Sequence, residues 1–345
     1  MGQVSAVHPS LERLQRLHPL GPGWREPQVF IESVDLVGAR VHLCGLVTRD
    51  QHARQATGSA GALDEVPLAR AYYELIERTS VLEAMVSGAQ KYAVLDIEGR
   101  TVATAHRDRV FPTTPDAAAC VHARSNGVAA GRSRREACLS AAFELVERDR
   151  VLRAWYGELR PRAVSLSACM PPSSLLSTHD FEAHAFDEPE GSASAFVRGV
   201  FAFPRTATLP LSYGFAAAQN EQRARTGALR ECLQRLAFLW GEPLPDRPPA
   251  FAPTAEYHQE VYLQPVMHER IRAWLAGALP AATLESSDAP REFPNCFVDL
   301  TPPTLTGRLW VIRALPRREL PLVFGRGHPR IRGVLPASLE IHPIA

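Results

Sequence analysis

The chain writes nearly the same five residues twice, ELIER at 74–78 and ELVER at 144–148, each inside a segment whose apolar residues recur at helical spacing. Around the first run, Leu68, Tyr72, Leu75, Thr79 and Leu82 share one stripe and predict a buried face, with Glu74 and Glu77 three apart on its flank. Around the second, Ser133 followed by Glu136 reads as a capping box at a helix start. At about 100° per residue, Glu136, Glu144 and Glu147 then lie within about 80° of one another, beside an apolar stripe of Leu139, Phe143 and Val146. A third segment, TGALRECLQRLAFLW, sets Glu231 and Gln234 three apart beside Leu229, Cys232, Leu233 and Leu236. Helix-like stretches at 66–88, 133–156, 221–240 and 257–276 alternate with strand-like QVFIESVDLV, ARVHLCGLV, KYAVLDIEG, RTVATAH, SASAFVRGVFAF and RLWVIRAL. The alternation predicts an α/β fold of mixed sheets with packed helices.

Glu is a good helix former and pairs with Arg one turn away, so any single pair is most simply solvated surface. Position argues against that reading for the set. Acidic or amide groups border the apolar stripe in three helices, and they converge if those helices pack together. Converging carboxylates repel one another and become neutral unless cations compensate them. Hard divalent cations with oxygen ligands, Mg²⁺ above all, meet that need, and Mg²⁺ in turn implies phosphate. ARSNGVAAGRS at 123–133 places Ser125, Asn126, Gly127 and Gly131 just before a helix N-terminus, where small residues let backbone amides approach an anion. The chain contains no GxxxxGK[ST] run, which excludes a Walker-type nucleotide site. The residues by themselves therefore point to a Mg²⁺-phosphate site of a different type.

The remaining features narrow the class. A net charge of +1 without any block of like charges argues against nucleic-acid and acidic-membrane partners. The six cysteines are scattered, without CxxC pairs or zinc spacing, and read as reduced thiols. With no signal-peptide pattern and no stretch approaching about eighteen apolar residues, the expected location is the cytoplasm. Residues 1–25 show little periodicity beyond SLERLQRL and read as a loosely ordered N-terminal segment, with 26–345 as a single domain. His179 and His184, five apart in STHDFEAHAF, read as loop surface rather than as metal ligands.

SNGVAAG followed by EA, then ELVERD, with ARAYYELIER before them, ALRECLQ after them and VIRALP at 311–316, resembles the YcaO family in order and spacing. The resemblance spans roughly residues 55–335. It implies a YcaO-type ATP-binding fold without a P-loop, in an enzyme that uses ATP and Mg²⁺ to activate peptide backbone amides. Residue by residue, it makes Glu74, Glu77, Glu136, Glu144, Glu147 and Glu231 metal or metal-shell ligands. Arg148 would contact phosphate, with Glu144 and Glu147 beside it in the catalytic set. Ser125, Asn126, Gly127 and Gln234 would shape the nucleotide pocket, together with Glu136 and Arg148.

The implied chemistry is attack on an amide carbonyl, phosphorylation of the former amide oxygen, and loss of phosphate. Attack by Cys, Ser or Thr gives an azoline, the favoured outcome, whereas sulfide gives a thioamide and an amine gives an amidine. The implied partners are a precursor peptide and, because few residues precede the family region, a separate leader-binding or E1-like protein; a homodimer is compatible with the resemblance. Ala60 stands where many relatives have lysine, Arg132 where a small polar residue is common, and Gly227 where an arginine usually precedes AL-x-E. The chain ends in LEIHPIA rather than in a proline-rich tail. These departures keep a rival reading in view, a catalytically silent scaffold or peptide-binding subunit.

Overall fold

QVFIESVDLVGARVHLCGLV folds back on itself as a hairpin, with Val37 at φ 54° and Gly38 at φ 85° as its two-residue turn. Two successive positive φ values suit the right-handed twist of the flanking strands, and the Asp35 carboxylate accepts the Gly38 N–H at 2.5 Å. This computed structural model describes residues 9–114, 116–167, 169–187, 195–285 and 293–344. Along the chain, α1 (Pro9–Leu17) precedes β1 (Gln28–Leu36), β2 (Ala39–Arg49), β3 (Gln55–Ala62) and α2 (Leu68–Val86). Next come β4 (Lys91–Leu95), β5 (Thr101–His106), α3 (Arg107–Val110), β6 (Cys120–His122), β7 (Val128–Gly131) and α4 (Arg134–Trp155). The middle holds β8 (Arg162–Val164), β9 (His179–Ala185), β10 (Phe196–Pro204), β11 (Ser212–Ala218), α5 (Glu221–Leu239), α6 (Ala255–Val261) and α7 (Pro265–Leu275). The last strands are β12 (Thr283–Leu284), β13 (Phe297–Asp299), β14 (Trp310–Ala314), β15 (Val323–Gly325) and β16 (Ile331–Arg332).

Two compact units form, and the chain passes between them more than once. The first comprises residues 1–112, 127–142 and 294–315. It holds the sheet β1-β2-β3 and the five-stranded sheet β5-β4-β13-β14-β7. Tyr72, Leu75 and Ile76 of α2 pack with Cys44, Leu46, Val298 and Val311 in its core. The second comprises residues 113–126, 143–293 and 316–345, with the sheet β11-β10-β9-β8 and the pairs β15-β6 and β12-β16. Its core is aromatic, with Trp155, Phe186, Phe201, Phe215 and Trp274 in mutual contact. α4 contributes its first nine residues to one unit and the rest to the other.

Three sequence expectations need correction, and one strand forms that the sequence did not mark. The helix predicted over 257–276 is two helices, because Pro265 cannot continue α6 and instead starts α7. QATGSAGA, poor in strand formers, is nevertheless β3: a Cβ on Gly58 would lie 2.0 Å from the Ala71 carbonyl oxygen, so the absence of side chain is what lets this strand meet α2. His179 and His184 are not loop surface but lie on β9, 0% and 6% exposed. The stripe Leu139, Phe143 and Val146 is not the most buried face of α4, since Leu139 and Phe143 are half-buried whereas Ala137, Cys138, Ala141 and Leu145 are buried.

Of the segment 1–25, residues 1–8 lie outside the described residues; α1 follows, with Leu11 fully buried. Residues 192–194 of the strand-like SASAFVRGVFAF also lie outside them, and β10 begins at Phe196. All six cysteines are free, and among the described residues no helix is long and apolar enough to cross a membrane.

Candidate functional site

In the second unit, α4 and α5 bring sequence-marked carboxylates to one strand edge. β11 is the outer strand of its sheet, so its outward-facing amides have no strand partner. Phe215 N donates to Glu231 Oε2 at 3.2 Å, and Ala217 N donates to Glu147 Oε2 at 3.2 Å. Glycine makes the approach close enough: a Cβ on Gly214 would fall 2.4 Å from Cys232 N and 2.5 Å from Glu231 Cβ. Gly227, at the position where arginine was expected, lies where a Cβ would be 2.7 Å from that of Ala216, so packing excludes a long side chain there.

Arg148 sits among these carboxylates. Burial opposes its charge, but Glu147, Glu231 and Glu144 outweigh burial and hold the guanidinium above its ordinary pKa. Burial pushes the Glu147 carboxyl upward and Glu144 adds to the push, against the pull of Arg148. Glu231 is also pushed upward, by desolvation of its carboxyl and then by Glu147; as the residue is exposed overall, water tempers the effect. Arg148 Nη1 approaches Glu147 Oε1 at 3.0 Å, yet that oxygen makes no hydrogen bond, so the contact is one of charge without alignment. Three carboxylates thus face one half-buried guanidinium, with Arg230 acting on Glu231 as well. Gln234 lies on α5 one turn beyond Glu231.

The first unit treats its carboxylates similarly. β3 and β7 are the outer strands of their sheets, and α2 supplies an acceptor to each. Ser59 N donates to Glu74 Oε2 at 2.6 Å, and Ala130 N donates to Glu77 Oε1 at 2.7 Å. The other oxygen of Glu74 pairs with Arg78 Nη2 at 2.6 Å. The Ser133 half of the capping box forms: Glu136 N donates to Ser133 Oγ at 3.2 Å, while the exposed Glu136 carboxylate accepts the N–H of Arg132 at 2.9 Å, one residue before the cap. The SNG stretch differs from expectation. Ser125 and Asn126 do not directly precede α4 along the chain, because β7 intervenes; Gly127 supplies a turn at φ 69°, and Asn126 Oδ1 is buried without a hydrogen-bond partner.

Among the described residues, no group of three or more His, Cys, Asp or Glu side chains is arranged to hold a metal ion. Mg²⁺ seldom requires one, because it keeps several waters and binds through one or two carboxylates plus substrate phosphates. The Glu147 oxygen that makes no hydrogen bond, among the three carboxylates around Arg148, suits such a partial protein site.

Sequence reasoning passed over Asp149, the last residue of ELVERD. Its Oδ1 accepts the Leu320 N–H at 2.7 Å and the Arg153 Nε–H at 2.8 Å, and Arg153 also donates to the Arg318 carbonyl, so the pair pins 318–320 to α4. Burial raises its carboxyl to about 6, above the unfolded value, so the folded chain binds the extra proton between about pH 4 and 6 and loses stability as pH rises through that window. Asp149→Asn lacks this term. Its melting temperature relative to the parent should therefore climb from pH 4 to pH 6, measured by calorimetry; an unchanged difference would show that Asp149 keeps an ordinary pKa.

A model of the YcaO cyclodehydratase family, described as ATP- and Mg²⁺-binding, matches residues 97–305. Glu74 and Glu77 precede that span. YcaO from Methanopyrus kandleri, solved with AMPPCP and Mg²⁺ bound, is 20% identical with a TM-score of 0.56 over 88% of each chain. A heterocyclase in complex with substrate and cofactor is 15% identical with a TM-score of 0.58, over 90% of this chain and 52% of that one. The Escherichia coli microcin synthetase McbBCD complex with pro-MccB17 bound is 11% identical with a TM-score of 0.55, over 83% of this chain and 86% of that one. Curated protein sequences give no match. The structural likenesses show a shared α/β fold, and the family model covers more than half of the chain. This chain is a member of the YcaO family, whose cofactors are ATP and Mg²⁺.

Proposed function

We propose that the protein is an ATP-dependent enzyme that activates backbone amides of a peptide, forming azolines from Cys, Ser or Thr by cyclodehydration. The observation that carries the reading is the gathering of Glu144, Glu147 and Glu231 around Arg148, with one oxygen of the buried Glu147 making no hydrogen bond, because converging carboxylates are costly in the absence of a cation. Bound Mg²⁺ would neutralise the charge of the ATP phosphates. Glu147 and Glu231, each held by a β11 amide through one oxygen, would present carboxylate oxygen to that ion at fixed positions. Glu144 strengthens the local negative field, and Arg148 stabilises charge on the transferring phosphoryl group while the attacked amide oxygen leaves as phosphate. By their family positions, Glu74, Glu77 and Glu136 are further proposed metal ligands, and Ser125, Asn126, Gly127, Glu136 and Gln234 proposed nucleotide contacts.

The precursor peptide is the proposed substrate, presented by a leader-binding partner protein, a reading in keeping with the substrate-bound heterocyclase and the McbBCD complex. Incubation with ATP, Mg²⁺ and the peptide encoded beside the gene, followed by mass spectrometry, should show loss of one water per modified residue. Exchange of oxygen for sulfur would instead assign thioamide formation, and water loss with an added amine link an amidine. A silent scaffold is the second reading, favoured by Glu74, whose two oxygens are both already paired. ATP binding that ignores both Mg²⁺ and Glu231→Ala would establish it.

A further inference from the structure

Segment 336–344 enters the interior of the second unit, burying Leu339, Ile341 and Ile344, and two histidines hold it there. His258 on α6 is 0% exposed and His342 is 1% exposed, with ring centroids 4.3 Å apart. His258 Nε2 accepts the Gly325 N–H at 2.8 Å, so its proton resides on Nδ1, which donates to the His342 carbonyl at 2.9 Å. His342 Nε2 donates to the Val323 carbonyl at 2.8 Å, leaving Nδ1 bare and buried without a hydrogen-bond partner. Backbone groups thus fix both tautomers, and burial keeps both rings neutral. A second proton on His258 would set one N–H against that of Gly325; a second proton on His342 would sit on a buried Nδ1 that now makes no hydrogen bond, with only the Ile344 backbone beside Val323 to favour it.

The charges acting on the pair offer no relief. His258 and His342 act on each other, and His328, held by the Pro321 carbonyl and the Arg330 N–H, acts on His342 with His122 and Arg330 beyond it. The Tyr262 hydroxyl donates to the Ile341 carbonyl rather than to either ring, and Glu340 pairs with Arg326. Trp155 Nε1 completes the docking by donating to the Leu339 carbonyl at 2.9 Å.

We propose that segment 336–344 is an acid-released latch: protonation of the His258–His342 pair breaks its hydrogen bonds to Val323 and Gly325 of β15 and frees the segment from its seat on Trp155 and Tyr262. The latch is independent of the nucleotide reading. Burial drives His258 to about 4 and His342 well below its ordinary 6.5, whereas the undocked segment takes up protons near 6.5. Docking therefore weakens as pH falls from 6.5 towards 4, by up to roughly tenfold per histidine per pH unit.

Hydrogen exchange on the full chain, corrected for the intrinsic rate at each pH, reads this opening at the amides of Gly325 and Leu339. Opening should increase more than roughly tenfold between about pH 7 and about pH 5, while the amides of α2 hold steady. His258→Gln keeps a donor and an acceptor but cannot titrate, so its dependence on pH should be shallower. Equal opening at both pH values, or a His258→Gln protein with the full parental dependence, overturns the latch. If that variant does not fold, NMR titration of the parental histidine rings decides: both rings staying neutral below about pH 6 supports the latch, and a His258 that titrates near 6.5 with the segment still protected overturns it.

Discussion

Replacing Glu147 with Gln should slow Mg²⁺-dependent ATP turnover severely while leaving the protein at least as stable as the parent. The two effects share one cause. Glu147 is buried, its carboxyl is pushed upward by burial and by Glu144, and it remains beside Arg148 with one oxygen lacking a hydrogen bond. A carboxyl with a raised folded pKa stabilises the chain in acid and loses that contribution as pH rises, so at neutral pH the ionised form is a net cost. Glutamine keeps the shape and an oxygen for the Ala217 N–H but removes the charge. Relieving the repulsion should contribute on the order of 1 kcal/mol, in keeping with the general conflict between stability and strained functional sites. Withdrawing a charge that orients an ion at a transferring phosphoryl group should cost on the order of 10²–10³ in rate. ATPase assays across a Mg²⁺ series and melting curves for the same preparation check both arms. Turnover within a few-fold of the parent would show that Glu147 serves only as a cap for β11.

That alternative has substance, because the helices carry a structural task that the sequence did not disclose. Glu74, Glu77, Glu147 and Glu231 each accept the amide of an outer strand, Ser59, Ala130, Ala217 and Phe215 respectively. Which strand is outermost depends on pairing across the whole chain, and no local pattern records it. What local pattern does record was legible. α2, α4 and α5 begin and end within two residues of the predicted spans, since helical periodicity and the Ser133–Glu136 cap are properties of neighbouring residues. The Glu144, Glu147, Arg148 and Glu231 cluster was legible in part, because carboxylates bordering an apolar stripe in two helices meet once those helices pack on one sheet.

β3 was missed because Gly58 and its small neighbours serve close approach rather than strand propensity, which is a tertiary reason. The true inner face of α4 was missed for a related reason: Ala137, Cys138 and Ala141 are small, and a helix seated tightly buries small residues while larger ones such as Leu139 remain half-buried at its flank. His179 and His184 looked polar enough for a loop, yet each finds a partner within the second unit, the Pro210 carbonyl at 3.1 Å and Glu182 at 3.3 Å.

Gly214→Ala should be among the most damaging single-methyl changes in the second unit, and it should harm nucleotide binding along with stability. The added carbon would stand 2.4 Å from Cys232 N, 2.5 Å from Glu231 Cβ and 2.6 Å from the Ala228 carbonyl oxygen, two of which are backbone atoms of α5 that cannot rotate aside. Either α5 or β11 must move, at a cost of about 3 kcal/mol, near the top of the range for overpacked interiors. Movement at this point strains the Phe215–Glu231 hydrogen bond, because Phe215 is the next residue on the strand and Glu231 is one of the atoms struck. Gly241→Ala separates sterics from chain stiffness: that glycine is at φ 78° with nothing within 4 Å of an added carbon, so its cost should be only the roughly 1 kcal/mol of a left-handed backbone. Denaturant melts should therefore rank Gly214→Ala well below Gly241→Ala, and ATP affinity should fall in the first and hold in the second. Equal melts would mean that α5 and β11 are not in the close contact on which the placement of Glu231 depends. Normal affinity in a destabilised Gly214→Ala protein would instead mean that Glu231 reaches the ion without the β11 amide.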